Sequence, residues 1–236
     1  ILPSGWIFYD WLLTGHGKAD LHRAISESCN VYFYNVSGGN PYTDLSGLGE
    51  RRLAEYSRQF GFGKATGIDL PNELNGIVPD SDWKTHNLNE HWVTGDTYQA
   101  AIGQGFVQAT PLQLLNMYAA IGNGGTIYRP RLIDRIESDR GQVVKIPPIE
   151  EIGRLPLSIS NLKIIQNGLL EAVQGGNGTG KRARTETAIV AGKTGTAEYT
   201  GPVVKGGNLP SHAWFAGYAP ADHPKIAFMV LIRDGG

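Results

Sequence analysis

Lys193, Thr194, Gly195 and Thr196 stand where an apolar run meets small polar residues. In that order they supply a cation, a hydroxyl, a position without a side chain and a second hydroxyl. Such a set can bind a carboxylate, donate a hydrogen bond and let a substrate backbone approach closely. Lys-Thr-Gly alone is a short and common string, and an exposed strand end with a solvated lysine is the simpler account of it in isolation. A second polar group, Ser28 and Asn30 around Cys29, lies far upstream in a helical pattern. Residues two apart on an unbroken helix do not share a face, so Ser28 and Asn30 can reach one site only if the helix breaks between them. A packed helix with small residues at Ser28 and Cys29 is the structural alternative.

The elements that must carry these groups are legible in outline. Asp20 is a suitable N-cap, followed by Leu21, Ile25, Tyr32, Phe33 and Val36 at helical spacing on one apolar side, with poorer helix formers from Ser26 to Asn30. Thr110, Pro111 and Gln113 form a capping box for a helix that should run to about Ile121. Gly122, Gly124 and Gly125 supply a stop, Tyr128 to Pro130 start an extended segment, and a hairpin is expected around Gly141. Pro147, Pro148 and Pro156 read as an irregular connection. A further helix, capped by Ser158 or Ser160, presents Leu162, Ile165, Leu169 and Val173 and ends at Gly175 to Gly180. Three strands follow, at Ala188–Ala197, Ala213–Tyr218 and Ile226–Ile232, the last too continuously apolar for a solvated edge. Helices up to about residue 125 and strands after Lys181 indicate an α+β layout.

Taken in order along the chain, these motifs resemble the penicillin-binding protein transpeptidases, whose signature combines Ser-x-x-Lys, Ser-x-Asn and Lys-Thr-Gly. The likeness extends to Ser28–Tyr34, Phe60–Gly63 with Thr66–Pro71, Ala101–Gly105 with Thr110–Gln113, Ala191–Ala197, and His212–Pro220. Tyr9-Asp10-Trp11 and Gly15-His16-Gly17 look most like the class B, elongation-type members often called penicillin-binding protein 2. The resemblance implies an antiparallel sheet flanked by helices plus a mainly helical lobe, here the helical lobe at about 18–125 and the sheet-forming part at about 181–236 of one partial domain. It implies a peptidoglycan D,D-transpeptidase that takes stem peptides and is acylated by beta-lactams, with no cofactor and no metal. Ser28 would relay a proton, Asn30 would hold the substrate amide and the lysine of the missing motif, Lys193 would supply positive potential next to Ser28, Thr194 or Thr196 would bind the substrate carboxylate with Gly195 as a further substrate-binding position, and the backbone N–H of Thr196 would provide half of an oxyanion hole. It further implies a membrane-bound glycosyltransferase partner and a place on the extracytoplasmic face of the bacterial plasma membrane.

One part of the signature is missing. The Ser-x-x-Lys motif should precede Ser-x-Asn by several tens of residues, yet only 27 residues stand before Ser28 and none forms it. Ser81 with Lys84 fits the spacing in what reads as a polar, irregular stretch where a cap or turn is expected. Ser160 with Lys163 fits at a helix start, the arrangement that a lysine-activated serine needs, but in the wrong order along the chain. Both are rejected, and the chain is expected to be truncated at both ends and inactive alone, its first strands, its C-terminal helix and any membrane anchor lying outside it. A serine beta-lactamase and a non-catalytic penicillin-sensing domain are the rival readings.

Bulk properties agree with an ordinary folded domain. With 41% hydrophobic and 18% charged residues and a formal net charge of −1, the chain has no electrostatic bias toward nucleic acid. Cys29 is the single cysteine, too few for a disulfide or a cysteine cluster. His16, His22, His86 and His91 show no tight ligand spacing and read as satisfied structural or surface histidines, and the five scattered tryptophans read as core or interface residues. No run approaches the roughly 18 apolar residues that span a bilayer.

Overall fold

A computed structural model describes residues 2, 5–199 and 209–235. Helices α1 (Leu21–Ser26), α2 (Asn30–Gly38), α3 (Glu50–Gln59), α4 (Ser81–Leu88), α5 (Thr94–Ala101) and α6 (Pro111–Gly122) come first. Strands β1 (Thr126–Tyr128), β2 (Ile136–Glu137), β3 (Val143–Lys145) and β4 (Glu151–Arg154) lead to helix α7 (Ile159–Gln174). A single 3-10 turn at Lys181–Ala183 precedes β5 (Ala191–Glu198), β6 (Ser211–Ala219) and β7 (Ile226–Ile232). The protein is α+β, as expected. Its main sheet is antiparallel in the order β5-β6-β7, with Lys193 opposite Ala216, Gly195 opposite Trp214, and Phe215 opposite Val230. Two small antiparallel pairs, β1 with β4 and β2 with β3, accompany it.

The helix ends follow local chemistry. Thr110 Oγ1 accepts the Gln113 N–H at 3.2 Å while Gln113 Oε1 accepts the Thr110 N–H at 2.9 Å, the reciprocal capping box that opens α6. Ser158, not Ser160, caps α7 by accepting the Asn161 N–H at 3.1 Å. Both helices pack on the sheet and touch each other, with Gln166 of α7 donating to the Ile121 carbonyl of α6 at 2.7 Å. Tyr118, Ala120 and Ile121 of α6 share a core with Leu162 and Leu169 of α7 and with Ala191, Ala216 and Tyr218 of the sheet. Val173 of α7 packs with Val190 and Ala219 in a second cluster. Burial of these side chains, worth about 1.5–3 kcal/mol for each large one, is what holds β5 in register against the helices.

Three expectations change. The apolar side proposed for Leu21 to Val36 is not one face: Val36 is 43% exposed, and Ala24 and Tyr34 are the buried apolar positions of α1 and α2. The break between the two helices rotates the second relative to the first. The irregular connection between Pro148 and Pro156 contains β4, which closes on β1 with Ile127 opposite Gly153. Continuous apolarity in β7 does not bury both its faces: Ala227 and Met229 pack on the α6 side, Phe228 stacks on Phe215, and Ile226, Val230 and Ile232 remain exposed among the described residues.

Close approach of α1 to α7 is set by Gly168, where an added Cβ would lie 2.9 Å from both Cβ and Cγ2 of Ile25. Alanine would gain about 1 kcal/mol in helix propensity, but the forced displacement costs about 1–3 kcal/mol. Gly168→Ala should therefore lower the unfolding free energy by up to about 2 kcal/mol in urea melts, and a variant more stable than the wild type would show that the α1–α7 contact is loose.

Candidate active site

The break required between Ser28 and Asn30 is present. α1 ends at Ser26, Ser28 adopts φ +59°, Cys29 is extended at φ −74° and ψ 104°, and Asn30 begins α2. A left-handed serine costs of the order of 1 kcal/mol and persists where its surroundings hold it. Here the indole N–H of Trp11 donates to the carbonyls of Glu27 at 3.2 Å and Ser28 at 2.9 Å, and Asp10 Oδ2 accepts the Val31 N–H at 3.1 Å.

At the other end of the sequence, Lys193, Thr194, Gly195 and Thr196 form one wall of a cavity of about 520 Å³. Its apolar walls include Leu114, Tyr118, Val107, Trp214 and Ala216. Ser28 and Asn30 are not among its lining residues. What connects the two regions is Thr179: its N–H donates to the Ser26 carbonyl at 3.3 Å, and its hydroxyl accepts from Lys193 Nζ at 3.4 Å and from the Thr194 hydroxyl at 3.0 Å. The carbonyl that Thr179 binds lies two residues before Ser28. Thr179 sits in the Gly-rich stretch that read only as a helix stop, so spacing gave no signal for it.

Lys193 has no carboxylate within salt-bridge distance among the described residues; its other partners are the Thr194 carbonyl at 3.1 Å and the Thr194 hydroxyl at 3.4 Å. Burial lowers its pKa from 10.5 to about 8. A cation held by neutral oxygens in a partly dry cleft is a receptor for an anion, because a carboxylate there recovers the Coulomb energy that burial has cost. Lys84 is the opposite case. The stretch expected to be irregular is helix α4, capped by Asp80, and the Lys84 ammonium is bonded to Asp96 at 2.8 Å with Glu90 at 3.4 Å. Hydrogen bonding to Asp96 raises its pKa, so it is no base for Ser81. Ser160 lies 2.9 Å from the Ser158 hydroxyl, and both it and Lys163 are exposed.

A third cluster was not foreseen. Asp10, His16 and Cys29, each buried, place a carboxylate oxygen, an imidazole nitrogen and a thiol sulfur within 4.8 Å of one another. Neither ring nitrogen of His16 makes a hydrogen bond, although Asp10 Oδ2 is 3.4 Å from Nδ1. His16 is thus not the satisfied histidine that its sequence neighbourhood indicated. Positions 10, 16 and 29 show no tight spacing because folding, not helical periodicity, brings them together. These three donor types suit zinc.

Comparison with known proteins shows the family. Residues 3–236 match the family model described as "Penicillin binding protein transpeptidase domain", and the chain belongs to that family. It is 34% identical over 251 residues to a Haemophilus influenzae protein named "Peptidoglycan D,D-transpeptidase MrdA", covering 99% of this chain and 37% of that protein. It is 33% identical over 232 residues to "Stage V sporulation protein D" of Bacillus subtilis, covering 95% of this chain and 32% of that protein. Among solved structures, PBP2 from Helicobacter pylori superposes with a TM-score of 0.79 at 34% identity, covering 100% of this chain and 40% of that one. Pseudomonas aeruginosa PBP2 in complex with WCK 5153 gives a TM-score of 0.80 at 32% identity, covering 100% and 47%. The chain therefore spans 32% to 47% of the length of these relatives.

Two outcomes follow from this geometry. The unfolded chain keeps the Lys193 proton up to the ordinary lysine range near 10.5, whereas the folded chain releases it near 8. Between those values the unfolded state binds more protons, so Lys193 makes stability rise with pH, and its burial penalty is complete below 8. Lys193→Met should be more stable than wild type at pH 7 by on the order of 2 kcal/mol and should lack this rise in urea melts from pH 8 to 10.5. Zinc should raise the thermal midpoint, with a stabilisation of about 2.7 kcal/mol at one hundred times Kd. The shift should vanish in Cys29→Ser and in His16→Asn; an equal shift in those variants would place the ion elsewhere.

Proposed function

We propose that this chain is part of the transpeptidase domain of a serine-type peptidoglycan D,D-transpeptidase, with its helical lobe at about 18–125 and its sheet-forming part at about 181–236 as two walls of one cleft. The observation that carries the reading is the Lys193 ammonium, half-buried on an edge strand beside the Thr194 hydroxyl, without a carboxylate partner among the described residues. That arrangement suits the terminal carboxylate of a D-alanyl-D-alanine stem peptide, or the carboxylate of a beta-lactam that imitates it. The Thr196 backbone N–H serves as half of an oxyanion hole, Asn30 holds the substrate amide, and Ser28 passes a proton to or from the leaving group. No Ser-x-x-Lys pair among the described residues lies in the cleft, and the nucleophile is assigned to a part of the protein outside this sequence. Its serine oxygen bonds to the penultimate D-alanine carbonyl, the terminal D-alanine leaves with the proton, and an amine of a second strand then displaces the serine to form the cross-link.

The relatives support the assignment by name. One solved neighbour is a complex of Helicobacter pylori PBP2 with MreC, and another is described as coordinating polymerization and crosslinking in a peptidoglycan synthase complex. For this protein we accordingly place the partner in the cell-elongation machinery, as a membrane-bound glycosyltransferase, and the site of action outside the cytoplasm. No helix of the described residues is long and apolar enough to cross a membrane.

A fluorescent penicillin should label the full-length protein but not this 236-residue chain. In the full-length protein, Lys193→Ala and Asn30→Ala should each slow labelling by about 10²-fold or more, the scale expected for losing an electrostatic or proton-relay group. Labelling of the 236-residue chain itself would show that it contains a nucleophile. Rapid hydrolysis of the drug would favour a beta-lactamase, and stable labelling without release of D-alanine from a stem peptide would favour a sensor.

A further inference from the structure

β5 is an edge strand among the described residues, paired only with β6. Along such a strand every second residue turns its N–H and C=O outward, where an added extended peptide would pair. At Thr196 and Glu198 those groups are already taken. The Gln104 carboxamide donates from Nε2 to the Thr196 carbonyl at 2.6 Å and accepts the Glu198 N–H at Oε1 at 3.3 Å. One primary amide thus fills two ladder positions across 92 residues of sequence.

The way Gln104 is mounted suits a removable contact. It sits past the end of α5 between Gly103 at φ +73° and Gly105 at φ +68°, conformations that glycine adopts without strain. Its own N–H is anchored to the Gln99 carbonyl at 2.9 Å, so the backbone at the tip is held independently of the side chain. Ile102, Gly103 and Val107 on either side line the same cavity as Thr196 and Ala197. Gln104 therefore bridges the helical lobe to the outer edge of the strand that bears Lys193.

We infer that the Gln104 carboxamide is an internal stand-in for the acyl donor, occupying the Thr196 carbonyl that the N–H of the donor's own secondary amide needs, so that donor entry requires Gln104 to swing away. The inference rests on the transpeptidase reading above and adds a gate to it. Gln104 is a gating residue and takes no part in bond making.

Two penicillins separate this role from others. Benzylpenicillin carries an acylamido group whose N–H can reach a strand carbonyl; 6-aminopenicillanic acid has the same bicyclic ring and carboxylate but a bare amine in that place. In both, acylation joins the serine oxygen to the lactam carbonyl, breaks the lactam C–N bond and leaves the proton on that nitrogen. In the full-length protein, Gln104→Ala should accelerate acylation by benzylpenicillin by about 3- to 10-fold, the worth of one competing hydrogen bond, and acylation by 6-aminopenicillanic acid, whose freely rotating amine is a weaker donor, by clearly less. Gln104→Glu, which sets a carboxylate against the Thr196 carbonyl, should act in the same direction and serves if the alanine variant folds poorly. Equal slowing of both drugs would make Gln104 a structural support, slowing of benzylpenicillin alone would make it a direct ligand of the donor, and no change in either would mean that the contact is idle; each overturns the gate. A wild-type full-length protein that neither drug acylates would instead overturn the transpeptidase reading, and the gate with it.

Discussion

Thr179 carries the joint between the two halves of the site. Its N–H is bonded to the carbonyl of Ser26, at the end of α1, and its hydroxyl accepts from both Lys193 and Thr194 on β5. A single threonine therefore fixes the start of the Ser28 turn relative to the cation across the sheet. The packing behind it explains why the joint can be so small. Gly168 lets Ile25 of α1 lie directly on α7, and the Gly175–Gly180 turn brings Thr179 back over the strand without a bulky side chain.

Electrostatics give that joint its purpose. Two lysines of this chain are withdrawn from water in contrasting ways. Lys84 is neutralised by Asp96 and Glu90 and serves the fold, tying α4 to the start of α5. Lys193 is surrounded by hydroxyl and carbonyl oxygens, and burial pulls its pKa down to about 8. A buried cation without a counter-charge is destabilising by itself, and proteins retain such groups where a ligand supplies the missing charge.

The polar turn at Ser28 is held from the opposite side by the strap at residues 9–16. Trp11 binds the carbonyls of Glu27 and Ser28, Asp10 binds the Val31 N–H, and His16 and Cys29 close on the same carboxylate. The strap and Thr179 thus act on neighbouring peptide units of one strained turn. A strained serine held by several independent contacts is positioned more tightly than one in a regular helix, at a cost in stability that the surrounding core supports.

The sequence alone determined the features that depend on neighbours a few residues apart. The Thr110–Gln113 capping box, the bounds of β7, the position of Lys-Thr-Gly on a strand and the need for a break between Ser28 and Asn30 all follow from local hydrogen bonding and side-chain periodicity, whereas the choice of Ser158 over Ser160 as the cap of α7 does not. Motif order sufficed to identify the family. Tertiary structure alone decided the contacts that span long stretches of chain: Thr179 between Ser26 and Lys193, Gln104 on the edge of β5, Asp10 and His16 around Cys29, and β4 on β1. These contacts join groups whose local sequence also suits a turn, a loop or an exposed surface. Which of them meet is fixed only when α6 and α7 pack together on the sheet, because that packing sets distances that no local pattern encodes.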